Sequence, residues 1–304
     1  PVYEVFSSIN LVWETRKLRY NYQSLVTPNS VLEYNLDTRT SALLKQTEVL
    51  GGYDGSGYTS ERLSTTVRDG VEVPISIVYK NGFQKNGQAP LLLIGYGSYG
   101  WSYPVTFSSL RLSLLDRGVA IGIAHVRGGG EMGKAWHDQG RMMHKMRSFT
   151  DFVDCAEVLI AQRYTSPQHL IIEGGSAGGL LMGAVTNMRP DLFKAVVSHV
   201  PFVDVLNTML DASLPLTVGE YEEWGNPNIE DDYLYMKQYC PYTNLRAMEY
   251  PVMLIKTSLN DSQVMYWEPA KYVAKLRTLK QDGRPLLLVT NMGAGHGGAS
   301  GRYD

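Results

Sequence analysis

The 304-residue chain has little cysteine, little net charge and no long apolar run. Its two cysteines are too few for a disulfide framework and lack the spacing of zinc ligands. A net charge of -2 gives no indication of a nucleic-acid partner. No apolar run approaches the roughly 20 residues of a membrane-spanning helix, and the first residues do not have the pattern that predicts a signal peptide. We therefore expect a cytoplasmic protein with no membrane or nucleic-acid partner.

The composition that is present favours a large folded core, with 44% hydrophobic and 19% charged residues. Residues 1–50 predict short strands separated by turns, and residues 51–68 predict a glycine-containing linker and the entry to a second domain. From residue 69 to 304, strand patterns alternate with helix patterns. This alternation predicts an α/β fold, with a mostly parallel sheet and helices on both faces. Functional groups are then expected in loops at the carboxyl ends of strands.

One helix of the alternating region is predicted over residues 148–163, where apolar residues recur at helical spacing. Either Ser148 or Thr150 is expected to be its N-cap, because a hydroxyl there can accept a hydrogen bond from the first turn. The helix follows a strand predicted at residues 119–126.

A nucleophile is predicted at Ser176, the centre of a G-x-S-x-G pattern between a predicted strand and a predicted helix. Glycines at 174 and 178 fit this reading, since a side chain at either position would collide with neighbouring backbone. The helix that follows directs free N–H groups toward developing negative charge, and the N–H of Ala177 is the first of them. The alternative is a serine that only caps the helix, but the strand–turn–helix context favours the nucleophile.

The acid and base are predicted from chain order, which in this fold class runs serine, then Asp or Glu, then histidine. His296 lies in a glycine-rich loop after the last predicted strand and is the predicted base. Asp261 follows the preceding strand and is the predicted acid, with Asp204 as the alternative. His199 lies within a strand pattern and is expected to pack in the core. The four earlier histidines form no zinc-ligand pair, so no metal site is predicted.

The stretch LLLIGYGSYGW (residues 91–101) contains the pattern G-x-G-x-x-G, which is typical of dinucleotide sites. Such a site needs an acidic residue closing the next strand, where Arg127 and glycines stand instead. A hydrolase needs an oxyanion donor from this same loop. We therefore predict no cofactor, and an oxyanion hole made by the Tyr96 hydroxyl and the Ala177 N–H.

Eight stretches together resemble the prolyl oligopeptidase family of serine peptidases, and within it the oligopeptidase B group. They are RDGVEVPISIVYK, GYGSYG, RLSLLDRG, AHVRGGGEMG, GGSAGGLLMG, PLTVGEYEEWGNP, NDSQVMYWEPAKYVAKLR and GHGGASGR. The resemblance places Ser176, Asp261 and His296 on the family's triad, and Tyr96 and Ala177 on its oxyanion hole. It also implies an α/β-hydrolase domain, preceded by the end of a β-propeller that restricts access to short peptides. Relatives continue past the histidine loop into a closing helix, which this chain is expected to lack.

The resemblance further implies cleavage after Arg or Lys, because Glu220 and Glu222 in VGEYEEWG fall on the oligopeptidase B specificity positions. Proline-specific relatives carry a tryptophan at the place of Glu222. A carboxylate suits a guanidinium, with which it forms paired, charge-assisted hydrogen bonds. Without the resemblance, EYEEW would be interpreted as a solvated acidic loop.

The expected function is therefore a serine endopeptidase that hydrolyses short peptides after basic residues through an acyl-enzyme on Ser176. An esterase, an aminopeptidase and a prolyl-specific oligopeptidase remain alternatives, since fold and triad do not fix the substrate. A preference for a second basic residue is not expected. Pro104 and Thr106 stand where relatives with that preference carry aspartates.

Overall fold

Short strands with turns between them open the chain, and in the computed structural model, which describes residues 2–298, they form a four-stranded antiparallel sheet. The strands follow chain order: β1 (Tyr3–Ser7), β2 (Lys17–Ser24), β3 (Thr27–Asn35) and β4 (Thr40–Gln46). Register shifts interrupt both the β2–β3 and the β3–β4 pairing. β4 is exposed along its whole length.

The alternating region forms an eight-stranded sheet together with one strand from residues 51–68, which the sequence had predicted to be a linker. Its strands are β5 (Tyr58–Thr66), β6 (Glu72–Lys80), β7 (Leu91–Ile94), β8 (Ala120–Ala124), β9 (Leu170–Gly175), β10 (Ala195–His199), β11 (Val252–Ser258) and β12 (Leu286–Asn291). They are ordered β12-β11-β10-β9-β7-β8-β6-β5. The neighbours β7 and β9, β9 and β10, β10 and β11, and β11 and β12 pair in parallel. The predicted α/β class with a mostly parallel sheet is confirmed.

Eight α-helices lie within residues 2–298. They are α1 (Ser109–Leu115), α2 (Lys134–Asp138), α3 (Met146–Ala161), α4 (Ala177–Met188), α5 (Val205–Leu210), α6 (Tyr221–Trp224), α7 (Glu230–Tyr239) and α8 (Trp267–Leu279). None of these helices combines the length and apolar character needed to cross a bilayer.

The predicted N-cap of α3 is wrong. The helix begins at Met146, so Ser148 and Thr150 lie inside it. Ser148 is buried and donates a hydrogen bond from its hydroxyl to the Arg127 carbonyl at 2.6 Å. A 3-10 turn at Met142–His144 leads into the helix. The spacing of apolar residues does not predict such a turn.

Two compact units can be distinguished. One holds the described residues up to Leu63, together with Ser76–Gln84 and Pro104–Gly122, and contains the four-stranded sheet. The other holds Ser64–Ile75, Lys85–Tyr103 and the described residues from Ile123 onward, including β7, β9 to β12 and α2 to α8. All the site residues predicted from the sequence belong to this second unit.

Close packing around α4 fixes the helix that follows Ser176. Nearly every residue of α4 is buried. A Cβ on Gly179 would collide with Pro201, and one on Gly183 would lie 2.8 Å from the Pro241 Cβ. Glycines at these two positions therefore let α4 approach the neighbouring loops closely.

Candidate active site

Ser176 occupies the turn between β9 and α4, with φ 56° and ψ -119°. A residue with a side chain rarely adopts this left-handed conformation, which stores strain. Its N–H donates to the His199 carbonyl at 2.9 Å, and its carbonyl accepts from the Phe202 N–H at 3.1 Å, so residues at and beyond the end of β10 hold the turn. A Cβ on Gly174 would collide with the Gly178 carbonyl, and a Cβ on Gly178 would lie 2.7 Å from the Gly95 carbonyl oxygen. Both glycines of the motif thus have the steric role that the pattern predicts.

The loops after β11 and β12 bring Asp261 and His296 together. The His296 Nδ1 lies 2.7 Å from the Asp261 Oδ2. The other carboxylate oxygen, Oδ1, accepts the N–H groups of Gln263 at 2.9 Å and Val264 at 3.0 Å. The buried carboxylate is therefore oriented by three partners. Because it binds Nδ1, it leaves the Nε2 of His296 on the opposite side of the ring for a proton transfer.

The alternative acid, Asp204, has other partners. Its buried side chain pairs with Lys271 and accepts the Asn207 amide at 2.9 and 3.0 Å. The contact to His296 is made by Asp261, as favoured from strand order.

Next to Asp204, Glu268 is buried and accepts the Asp204 N–H at 2.9 Å and the Thr208 hydroxyl at 2.6 Å. Burial raises the pKa of the Glu268 carboxyl from 4.5 to about 7. The folded state then binds more protons than the unfolded state between about pH 4.5 and 7. The contribution of Glu268 to stability therefore falls as the pH rises through this window.

We predict that Glu268→Gln flattens this dependence, because the amide does not titrate. The free energy of unfolding in urea, measured at pH 5 and pH 7, should fall less over this interval in the variant than in the unmodified protein. The exposed Glu249→Gln is the matched control and should keep the original dependence. An unchanged pH dependence in Glu268→Gln would contradict the assignment.

Tyr96, in the loop after β7, lies within hydrogen-bond reach of Ser176. Burial raises the pKa of the Tyr96 phenol, and the hydrogen bond with Ser176 opposes that shift. The phenol therefore remains a protonated donor at neutral pH. Ala177 is the first residue of α4, and an N–H at that position has no partner within its helix. Both predicted oxyanion donors are therefore close to the serine, Tyr96 in space and Ala177 in sequence.

A cavity of about 120 Å³ opens beside Ser176, and Gln263 and Val264, which hold Asp261, also line it. Glu220 supplies a carboxylate to the same cavity. Its remaining lining residues are mostly apolar or aromatic and include Tyr99, Phe202, Met209, Leu214 and Leu216.

The Glu220 carboxylate is held in place from both sides. Its Oε2 accepts the Trp224 indole N–H at 2.6 Å, and its Oε1 accepts the Tyr99 hydroxyl at 3.1 Å. Burial raises the pKa of Glu220 above its usual range, and these two hydrogen bonds oppose that shift. The carboxylate is thus an oriented acceptor at the wall of the cavity.

The structure does not bring Glu222 to this cavity, contrary to the expectation from the sequence. Its side chain is exposed, and its backbone carbonyl accepts a hydrogen bond from Arg141 at 3.0 Å. The physical reason is the turn into α6, because residues two positions apart on a helix point to different faces. A residue three positions after Glu220 shares its face, and that residue is the buried Glu223. The i, i+3 spacing in EYEEW was the signal that could have found Glu223.

A second cavity, of about 540 Å³, is also lined by Tyr96. Tyr99, Trp101 and Tyr103 contribute aromatic rings to it, and Glu173 and His199 contribute polar groups. His199 is therefore not the packed core residue that the sequence predicted. Because it is the last residue of β10, its side chain is 35% exposed, and its Nε2 lies 3.0 Å from Glu173. Among the described residues, no three His, Cys, Asp or Glu side chains are placed to share a metal ion.

The family of the chain follows from its match to known sequences. The profile described as the prolyl oligopeptidase family matches residues 105–304, about two thirds of the chain. The chain belongs to the prolyl oligopeptidase family. The resemblance stated from the sequence motifs is thereby confirmed, and the eight-stranded sheet with its helices is the family's α/β-hydrolase domain.

Individual members of the prolyl oligopeptidase family resemble the chain over nearly its whole length. Protease 2 of Moraxella lacunata is 49% identical over 304 residues, which are 100% of this chain and 44% of that relative. Dipeptidyl aminopeptidase BI of Pseudoxanthomonas mexicana is 49% identical over 302 residues, 99% of this chain and 42% of the relative. Oligopeptidase B from Trypanosoma brucei, solved in a closed form with covalently bound antipain, has a TM-score of 0.93 and 44% identity, covering 99% of this chain and 43% of its own. The chain thus spans less than half the length of these relatives.

Proposed function

We propose that the protein is a serine peptidase that hydrolyses short peptides on the carboxyl side of Arg or Lys. The observation that carries this proposal is the single cavity lined by both Ser176 and Glu220. A nucleophile with a carboxylate beside it fits a substrate whose cationic side chain lies next to the scissile bond. The family membership and the identity to peptidases support the same class of reaction.

In the proposed reaction, the Ser176 hydroxyl attacks the scissile carbonyl carbon and His296 Nε2 takes its proton. The negative oxygen of the tetrahedral intermediate accepts hydrogen bonds from the Tyr96 hydroxyl and the Ala177 N–H. The C–N bond then breaks, and His296 returns the proton to the leaving amine. Asp261 holds the imidazole and stabilises its cation. A water molecule, deprotonated by His296, then attacks the ester carbonyl carbon. The bond to the Ser176 Oγ breaks, His296 returns the proton to that oxygen, and the new carboxyl terminus is released.

The specificity part of the proposal rests on Glu220. A guanidinium or ammonium group next to this half-buried carboxylate would form charge-assisted hydrogen bonds, worth about 1.5–3 kcal/mol each. The Tyr99 hydroxyl and the Trp224 indole already orient the two oxygens, so little freedom is lost on binding.

The prediction that tests this assignment is Glu220→Gln, which removes the charge and keeps the shape. We expect kcat/KM for peptides ending in Arg to fall about 10–100-fold, because charge-assisted hydrogen bonds are lost. Hydrolysis of the matching Phe peptide should change little. Fluorogenic peptides ending in Arg, Lys, Phe and Pro measure both.

Two further variants sharpen that experiment. The exposed Glu230→Gln, at the start of α7, is the matched control for removing one surface charge. Glu222→Gln tests the expectation from the sequence directly. Loss of the Arg preference in Glu222→Gln, with the preference retained in Glu220→Gln, would overturn the role of Glu220.

A dipeptidyl aminopeptidase is the second candidate, favoured by the 49% identity to the relative of that name. The two candidates differ in whether the substrate needs a free amino terminus. We expect N-acylated peptides ending in Arg to be cleaved, because the proposed contacts are all made around the scissile bond. Cleavage restricted to dipeptidyl substrates with a free amine would favour the second candidate.

A further inference from the structure

The loop that carries Tyr96 has a strained backbone, and contacts from the rest of the protein must stabilise its conformation. Within residues 96–100, called here the oxyanion loop, three residues have positive φ: Gly97 at 70°, Tyr99 at 61° and Gly100 at 62°. For Tyr99, which has a Cβ, this conformation costs roughly 1–2 kcal/mol. A Cβ on Gly97 would lie 2.6 Å from Val126. The loop thus lies in a tight space, in a conformation that isolated backbone would not favour.

The buried side chain of Lys145 contacts the oxyanion loop. This residue immediately precedes α3 and is buried. Its Nζ donates to the Gly97 carbonyl at 2.5 Å and to the Ser98 hydroxyl at 2.8 Å, and it lies 5.1 Å from the centre of the Trp224 ring. A buried ammonium is costly unless its donors are satisfied. Here two of the three N–H donors of the ammonium form hydrogen bonds with the oxyanion loop.

Glu223 holds the same loop from α6. Its Oε1 accepts the Tyr99 N–H at 2.9 Å, so the carboxylate contacts the strained residue itself. Its Oε2 lies 2.7 Å from the Nε2 of His137, which fixes the carboxylate from the other side. Lys145 and Glu223 therefore form hydrogen bonds with neighbouring residues of one loop, although they lie far apart in the chain.

We propose that Lys145 and Glu223 are positioning residues, which hold the oxyanion loop so that the Tyr96 hydroxyl is aimed at the reacting carbonyl oxygen. The inference rests on the proposed function of Ser176. It extends that function because Tyr99, gripped by Glu223, also donates its hydroxyl to Glu220. The pair Lys145 and Glu223, called here the clamp, therefore links the loop of the oxyanion donor to the carboxylate of Glu220.

The titration of Lys145 supplies one independent readout. Burial lowers the pKa of its ammonium to about 8, and the Glu223 carboxylate opposes that shift. The other titratable groups of this cluster are His137 on α2, which contacts Glu223, and Glu220, which accepts the Tyr99 hydroxyl. Burial holds the phenol pKa of Tyr99 and of Tyr239 on α7 well above 10. The charge on Lys145 is then lost as the pH rises through about 8. We expect kcat to decline above pH 8, and we expect this decline to be absent from Lys145→Met.

The test is a double-mutant cycle between Lys145→Met and Tyr96→Phe, assayed with an N-acylated peptide ending in Arg. Lys145→Met alone should lower kcat about 10–100-fold and change KM less than threefold, because an oxyanion donor acts in the transition state. In the Tyr96→Phe background the same substitution should cost less than threefold, since the donor that it positions is gone. Equal losses in both backgrounds would overturn the proposal.

Glu223→Gln provides a second route, should Lys145→Met fail to fold. The amide oxygen can still accept the Tyr99 N–H, so a loss in kcat reports the missing charge. Hydrogen exchange of residues 96–100 provides a readout that needs no activity. We expect faster exchange of this loop in either variant, and unchanged exchange would contradict the clamp. Absence of Ser176-dependent turnover in the unmodified protein would instead contradict the proposed function. The hydrogen-exchange measurement would still test whether Lys145 and Glu223 hold the loop.

Discussion

Replacing Ser176 with alanine is expected to lower kcat for peptides ending in Arg by roughly 10⁵–10⁶-fold. Without the hydroxyl no acyl-enzyme can form, and water must attack the scissile carbonyl directly. The oxyanion donors remain, so hydrolysis should still exceed the rate in water by about 10³–10⁴-fold. KM should change little, because the proposed contact of Glu220 with the substrate is kept. Initial rates at high protein concentration measure the residual activity.

The control for Ser176→Ala is Ser113→Ala, which removes an exposed hydroxyl on α1. This variant should keep full activity. The Ser176→Ala protein must also unfold at nearly the same urea concentration as the unmodified protein, which shows that the variant is folded. Retention of more than about 1% of kcat in a folded Ser176→Ala protein would contradict an acyl-enzyme on this residue.

Asp261→Asn is expected to lower kcat about 10⁴-fold through the tautomer of His296. The N–H groups of Gln263 and Val264 both point at Oδ1, so an amide would keep its oxygen there. Its NH₂ would then face the Nδ1 of His296 and donate to it. The imidazole proton would move to Nε2, the nitrogen that must accept the proton of Ser176. The measurement is kcat across pH 6–9.

Asp204→Asn discriminates between the two acids considered from the sequence. Because Asp204 pairs with Lys271 and Asn207, its substitution should lower the free energy of unfolding rather than kcat. A loss of about 10⁴-fold in kcat with Asp204→Asn, and a small loss with Asp261→Asn, would reverse the assignment.

Local sequence patterns predicted the fold because they repeat along the chain. β7 reads LLLI and is fully buried, as expected for a strand covered on both faces. The start of α3 could not be predicted in the same way. It depends on how residues 142–145 pack, and periodicity reports only which face of a helix is apolar.

The contact between Asp261 and His296 could be predicted because the proposed triad residues carry rare patterns: a glycine-flanked serine, and an acid and a histidine in loops after strands. The carboxylate proposed to bind the basic side chain was harder to predict, because EYEEW offers three glutamates and only the turn into α6 decides which face each one takes. Lys145 could not be found at all. In RMMHKMRSF it has the pattern of a solvated surface charge, and only tertiary burial gives it its contacts to Gly97 and Ser98.

The most direct test of the account is covalent labelling with diphenyl phosphonates, one carrying an arginine side chain and one a phenylalanine side chain. The modified residue is identified by peptide mass mapping. We predict a single adduct, on Ser176, that forms faster with the arginine compound, because attack on phosphorus needs the same nucleophile, base and Glu220 cavity. An adduct on another residue, or none under conditions where peptides are hydrolysed, would contradict Ser176 as the nucleophile.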